Sequence, residues 1–516
     1  MMEQKMSHTL GRLKDFDQDD FFDLMLPHEA EVSRTQRRES KVRADIPPDF
    51  KFNMYWMGKL CGRLAFDDSK GFWEFQGPSA LDEAQKRLLS DEMLAAHRKL
   101  EKEEEDHILK RLTECKAGLE GTRVPYFVES LMPESWISNS GPDEVFDVEC
   151  ADRYLSNIVI RPNTRKTPLR VDVRTGSLSD PGMIDERHVF QGRFDDIFIP
   201  SEDEKSNLRL NKFYEFKNYA ALHASVDAPR MSGVQDKLPA YLSPEGVLGD
   251  ATDNSFTHIL KFPVSKNNIK RGLCSVEWFS TLLARRCGLE TENFAVSEIP
   301  GFGPVFIAER FDIRENNEDR RAILAEDFCS ILGVRRIGKD QGDLYAILYA
   351  IELHSTAPQE DMRLLLKTAM FAWLIENDDM HMKNMMLVKT YDENMQNKLS
   401  VRLSPVYDML CTSIYTMTTE PALSAMDSRE YSLELFRNIA EEFDIKGEEI
   451  NAMAHDLIEG ILERSRAITN DLPNFILNHT PSLSDIEDML NRITGDDSRL
   501  TKTIQALQTA RRPRPA

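Results

Sequence analysis

Apolar and polar positions follow two different periods along this chain. The stretch FKFNMYWMGKLCGRLAFDDSKGFWEFQG alternates and is rich in aromatics, with breaks at Gly58, Gly62 and Asp67-Asp68. Alternation with such breaks predicts a small antiparallel sheet. From 80 to 118 the period lengthens: Leu88, Met93, Leu100, Leu109 and Leu112 form an imperfect apolar stripe among Glu and Lys, which predicts a charged helix. Its EKEEED run reads as a solvated face. Residues 123–228 carry only short strand candidates, NIVIRP and HVFQGRF, between polar loops. Beyond 230 the pattern sharpens. LPAYL and THILKFPV read as strands, SVEWFSTLLARRCGL as a helix and GPVFIAERFDI as another strand. The chain then reads as mainly helical to about 380, and again from about 430 to the end. The expected class is α+β, a β-rich part followed by a larger helical part.

The most informative segment is FAWLIENDDMHMKNMMLVK. Met370, Phe371, Trp373, Leu374 and Ile375 end a buried helix, and Met385 to Val388 begin a buried strand. Between them lies a polar loop, Glu376 to Asn384; a charged loop clamped between apolar elements is a common place for chemistry. Asp379 and Asn384 stand in D-x-x-x-x-N spacing. In phosphoryl transfer such an Asp orients the acceptor hydroxyl and takes its proton, while the Asn holds Mg2+. The spacing alone is weak, because it recurs by chance in many loops. It gains weight from the next stretch of chain: strand MMLVK, turn TYDENMQNK, strand LSVRLS and then Pro405-Val-Tyr-Asp408, an acidic residue delivered by a hairpin. Asp408, Asn384 and nucleotide oxygens together suit a hard, oxygen-seeking ion. His381 reads as a brace for the loop more readily than as a base. Asp378 reads as a cap or a solvated carboxylate. Lys383 either offsets charge on a transferred phosphoryl group or is simply exposed.

A second set of residues precedes this loop. Arg230-Met-Ser-Gly-Val-Gln-Asp-Lys237 is compact and polar; its backbone N–H groups and Lys237 suit phosphate oxygens, and equally a plain surface turn. Lys261 lies midway along an apolar strand. It either faces solvent or is buried with a partner, and Glu277 on the following helix is the candidate.

Composition narrows the class. The 516 residues exceed one ordinary core, so more than one structural unit is expected. The net charge of −22 argues against broad nucleic-acid binding. The end TARRPRPA is basic, and reads as a solvated tail. Seven cysteines with no C-x-x-C pair suggest neither a zinc site nor a disulfide framework, and a reducing compartment fits them. No apolar run is long enough for a membrane span, and the first residues lack a secretory core, so a cytoplasmic location is expected. Residues 1–48 read as an extension.

Taken in order, MSGVQDKL, THILKFP, AERFD, AEDFC, WLIENDDMHMKN and LSPVYDMLCT resemble the HipA family of bacterial toxin kinases from about 230 to about 415. WMGKLCGRLAF, FWEF and YFVESLMPESW resemble its N-terminal region more loosely. The resemblance implies a two-lobed kinase-like fold. It implies a domain plan of an extension (1–48), a β-rich region with a charged helical insertion (49–150), an ATP-contacting lobe (151–310), a helical catalytic lobe (311–505) and a basic tail (506–516). It implies nucleotide contacts from Ser232, Gly233, Val234, Gln235, Lys237, Lys261, Glu309, Phe311, His381, Asn384, Tyr407 and Asp408. Asp379, with His381 and Lys383, is the implied catalytic set, and Asn384 and Asp408 the implied Mg2+ ligands. ATP and Mg2+ are the implied cofactors. Members phosphorylate protein serines, notably in aminoacyl-tRNA synthetases. A helix-turn-helix antitoxin neutralises them, so DNA is expected only through that partner. Many members autophosphorylate a serine near the glycine-rich loop. One such position is Arg230 here, which leaves Ser232 as the candidate. A catalytically weak scaffold and a metabolite kinase are the competing expectations.

Overall fold

The computed structural model describes seven strand segments between 51 and 250, and the chain from 257 to 510 apart from short gaps, the longest at 263–271 and 313–321. The extension, the 80–118 helix, HVFQGRF, the tail after 510, and Ser232, Gly233, Val234 and Gln235 lie outside the described residues.

The alternating N-terminal stretch forms strands β1 (Lys51–Trp56), β2 (Lys59–Asp67) and β3 (Phe72–Gln76), joined by β4 (Arg153–Leu155) and β5 (Ile158–Pro162). Their order is β3-β2-β1-β5-β4, and the pairings are antiparallel. NIVIRP thus does become a strand, although it docks on a partner a hundred residues earlier.

The second sheet holds β6 (Lys237–Leu242), β7 (Leu248–Asp250), β8 (His258–Lys261), β9 (Phe294–Ile299) and β10 (Gly303–Glu309), in the order β7-β6-β8-β10-β9. Every residue of β10 is buried, as befits a strand flanked by β8 and β9 and covered by a helix. That helix, α1 (Leu273–Arg286), is buried from Leu273 through Ala284. A helix buried on all sides must satisfy its own polar groups. Thr281 Oγ1 donates to the Glu277 carbonyl at 2.8 Å, and Ser275 meets Ser482 at 2.7 Å. Gly272, just before α1, donates its N–H to Asp485 Oδ2 at 3.1 Å; a Cβ there would stand 2.4 Å from that same oxygen, so only glycine allows the approach.

Past residue 310 the expectation of a mainly helical run needs correction. Strand β11 (Ala322–Asp327) intervenes and pairs with β12 (Met386–Tyr391), which pairs in turn with β13 (Lys398–Leu403). AILAED is short and has no alternation of its own; its strand state comes from a partner some sixty residues later. Strand β9 was likewise not anticipated. The helices are α2 (Phe328–Ile331), α3 (Leu344–His354), α4 (Pro358–Leu374), α5 (Leu433–Glu441), α6 (Gly447–Thr469), α7 (Asn474–Leu477), α8 (Thr480–Thr494) and α9 (Arg499–Ala510). Asp327, Asp343 and Ser432 cap α2, α3 and α5 through their side-chain oxygens. The stripe Ile450, Ala454, Leu457, Ile458, Ile461 and Ile468 buries one face of α6, at about 1.5–3 kcal/mol for each large side chain. Among the described residues no helix is long and apolar enough to cross a membrane.

Candidate functional site

Three elements converge on one ammonium. Lys261 ends β8, beside Lys237 on β6 and Phe306 on β10. Its side chain is buried rather than solvent-facing, and it donates to Glu277 on α1 and to Asp408 Oδ1, the latter at 2.7 Å. The strand-to-helix pairing expected from sequence is present, and Asp408 joins it from 147 residues away. Burial works against the charge on Lys261, but Asp408, Glu277 and Glu292 outweigh it and hold the ammonium above its ordinary range. For Asp408, burial opposes ionisation, yet the charges of Lys261 and Lys237 dominate and hold the carboxyl well below the usual carboxylate range. Its side chain keeps 39% exposure, so one flank stays open to solvent.

Asp408 is held in the left-handed region, at φ 57°, an unfavourable conformation for a residue with a Cβ. The segment before it is therefore anchored. Val406 forms a parallel bridge with Thr291: Val406 N–H donates to the Glu290 carbonyl at 2.7 Å and Glu292 N–H to the Val406 carbonyl at 2.9 Å. The Glu292 carboxyl is buried and takes a hydrogen bond from the Asp408 backbone; burial pushes its pKa up to about 8. Tyr407 donates to the Lys383 carbonyl at 2.6 Å and lies against Phe311, ring centroids 5.5 Å apart. Glu309, the last residue of β10, is buried and accepts from Asn293 Nδ2 at 2.9 Å.

Asn384 closes the short 3-10 turn Met382–Asn384, where its N–H donates to the His381 carbonyl at 2.9 Å. Its amide lies 3.4 Å from Asp408 Oδ2, and its buried Oδ1 has no hydrogen-bond partner. The two ends of an amide are exchangeable in assignment, so the pair presents two hard oxygen donors side by side, the donor set of a Mg2+-class ion. Asn384 and Asp408, 24 residues apart in the chain, thus meet.

The loop from Glu376 to Asn384 is braced from behind. Glu376 takes φ 56° and its carboxylate meets Arg492 Nε at 2.7 Å. Asp378 is buried and accepts from Arg499 at 2.7 Å, while its N–H donates to Thr412 Oγ1 at 2.8 Å. Burial raises the Asp378 carboxyl, with Arg499 opposing. Asp378 is therefore a clamp point of the loop and not a solvated carboxylate. Asp379, the next residue, is exposed, with its N–H on Asn377 Oδ1 at 3.2 Å. His381 is buried; burial first, then the Lys339 charge, lower its pKa to about 3, so the ring is neutral at physiological pH. Lys383 turns its ammonium to Asp327 Oδ2 at 3.2 Å and is largely buried, so it also ties the loop to the end of β11.

Sequence reasoning missed Arg492, Arg499, Glu292 and Thr412. Asp327 was visible only as part of AEDFC. Of the residues singled out from sequence, Lys237, Lys261, Glu309, Phe311, Asp379, His381, Lys383, Asn384, Tyr407 and Asp408 are all among the described ones.

Comparison with known proteins accords with this geometry. Residues 230–465 match the family model for the HipA-like C-terminal domain. Two Sinorhizobium fredii proteins are similar in sequence. The one named "Putative kinase Y4mE" is 28% identical over 193 residues, 36% of this chain and 43% of that protein. The one named "Putative kinase Y4dM" is 25% identical over 266 residues, 48% of this chain and 61% of that protein. The chain thus spans about half the length of these curated relatives. Among solved structures, the HipA toxin of Shewanella oneidensis MR-1, determined with HipB and operator DNA, matches with a TM-score of 0.52 at 15% identity, covering 89% of this chain and 99% of that one. At that identity the likeness concerns the fold.

Proposed function

We propose, from the match of residues 230–465 to the HipA-like C-terminal domain model, that this chain is an ATP-dependent kinase that moves the γ-phosphoryl group of ATP to a protein serine or threonine. The observation that carries the proposal is the convergence of Lys261 and Asn384 on Asp408, with the exposed carboxylate of Asp379 on the same loop as Asn384.

Each part has a role that its environment suits. Lys261, oriented by Glu277, supplies a fixed positive charge for phosphate oxygens, with Lys237 beside it. Asn384 Oδ1 and the open flank of Asp408 would hold Mg2+, which when bound neutralises phosphate charge. Phe311, packed on Tyr407, and Glu309 would receive the adenine side. At the acceptor end, Asp379 takes the proton of the substrate hydroxyl as that oxygen forms its bond to phosphorus and the bond to the ADP oxygen breaks. His381, being neutral, adds no charge there; Lys383, held on Asp327, fixes the turn that carries Asn384.

The acceptor protein, a synthetase or another, is proposed from the family resemblance, as are growth inhibition, control by autophosphorylation at Ser232, and a helix-turn-helix antitoxin carrying any DNA contact. The HipA–HipB–DNA assembly of the Shewanella oneidensis protein motivates the last of these. The test is incubation of the purified chain and its Asp379→Asn variant with labelled ATP and a cell extract, read by mass spectrometry. Label on protein serine or threonine, absent with the variant, supports the proposal. Label on a small molecule would make it a metabolite kinase. Nucleotide binding without transfer to any acceptor, itself included, would make it a scaffold.

A further inference from the structure

A second set of ligating groups lies on the acceptor side, apart from the Asn384–Asp408 pair. Asp340, on the 3-10 helix Arg336–Gln341, meets Asp379 and His381 of the loop. One carboxylate oxygen from each Asp and one ring nitrogen of His381 all lie within 4.8 Å of one another. His381 is 7% exposed, and its Nδ1 has no hydrogen-bond partner. A buried, neutral imidazole with an unmet nitrogen needs an explanation, because such atoms are normally paired. Meanwhile Arg429 donates to the Asp340 carbonyl at 2.8 Å, so the backbone that presents this carboxylate is held in place.

We propose that Asp340, Asp379 and His381 form a binding site for a borderline divalent cation of the zinc class, distinct from the Mg2+ pair, and that its occupation blocks phosphoryl transfer. The donor set sets the class: an imidazole nitrogen with two carboxylates suits Zn2+, whereas Mg2+ takes oxygens and keeps its waters. Three protein ligands leave a fourth position for water. Donors around one zinc ion stand about 3.3 Å apart, following bond lengths of about 2.0–2.2 Å. The side chains close the remaining distance by rotation, since Asp379 is exposed and Asp340 half-buried. Lys339 and Lys383 add two nearby positive charges, which Asp340, Asp379 and the nearby Asp408 outweigh. Once coordinated, the Asp379 carboxylate no longer receives a hydroxyl proton. The block on transfer rests on the kinase reading; the binding does not.

The test is calorimetric titration of the full-length, nucleotide-free protein with ZnCl2 in excess Mg2+, followed by transfer assays. One equivalent of zinc is expected, with binding weakened roughly 10-fold or more in Asp340→Asn and in His381→Gln. Asp340→Asn should keep its Mg2+-supported transfer rate and lose inhibition by zinc. Thermal unfolding of each variant confirms that it is folded. No stoichiometric binding, or binding unchanged in both variants, overturns the site. Zinc binding with undiminished transfer overturns the block alone. A wild-type protein that binds zinc but transfers no phosphate refutes the kinase reading and leaves the site standing.

Discussion

The Lys261 and Asp379 ends of the candidate site are built to opposite specifications. At the Lys261 end the side chains themselves are fixed: one buried ammonium is shared by Glu277 and Asp408, with Glu292 beneath. At the Asp379 end the backbone is fixed and the side chain is left exposed, because the clamps act on its neighbours Asp378 and Glu376. A group that must meet phosphate and a metal benefits from charge set in place beforehand. A group that must meet an incoming hydroxyl has to stay accessible, so rigidity is supplied one residue away.

The sharpest way to break this contrast is to change each end alone. Asp379→Asn should lower kcat by about 10²–10⁴-fold, the usual worth of a positioned general base. The melting temperature should hardly move, since the side chain is exposed. Full activity in that variant would remove Asp379 from the chemistry. Lys261→Met should do the reverse in stability: it leaves two carboxylates without their cation and costs about 3–5 kcal/mol, along with nucleotide binding. Adding Glu277→Leu should recover part of the stability and none of the binding, as apolar replacement of a buried pair is tolerated better than half of one. Denaturant unfolding and nucleotide titration read both results.

Arg499→Ala sits between these extremes. It strips the hydrogen-bonded cation from buried Asp378, whose second oxygen already has no partner, and leaves only the more distant charge of Arg492. The expected cost is about 2–3 kcal/mol, less than for Lys261 because Arg499 keeps 15% exposure. If the clamp serves the loop, kcat should fall while the KM for ATP stays put. An equal change in both would mean that α9 supports the whole site and not the acceptor side alone.

How far the sequence carried depends on distance along the chain. Asp379 and Asn384 share one loop, and Lys261 and Glu277 stand on adjacent elements, so pattern and spacing could pair them. Asp408 was readable because a hairpin delivers it. Arg492 and Arg499 were not, since an arginine on an amphipathic helix looks like any solvated face until that helix packs behind the loop. The same holds for β11, whose strand state is conferred by β12, and for Glu292, a glutamate in a turn whose burial depends on Asp408 docking over it.

Glu292 gives the smallest expected effect per step in conditions, one pH unit, and it tests whether the buried end withholds protons from solvent. Its carboxyl is raised by burial from an ordinary value of 4.5 to about 8. Between those values the folded chain keeps a proton that the unfolded chain has released. Stability from this group is therefore complete below about pH 4.5 and is lost as pH rises through 8, at no more than about 1.4 kcal/mol per pH unit. Glu277, raised by the same burial, has the same sign. Urea unfolding in chelator-containing buffer from pH 5.5 to 8 should show this decline, and Glu292→Gln should flatten it while keeping an oxygen to accept the Asp408 N–H. A decline of the same slope in the variant would mean that Glu292 is already ionised, with water reaching beneath Asp408. The sealed and open ends would then differ less than their hydrogen bonds suggest.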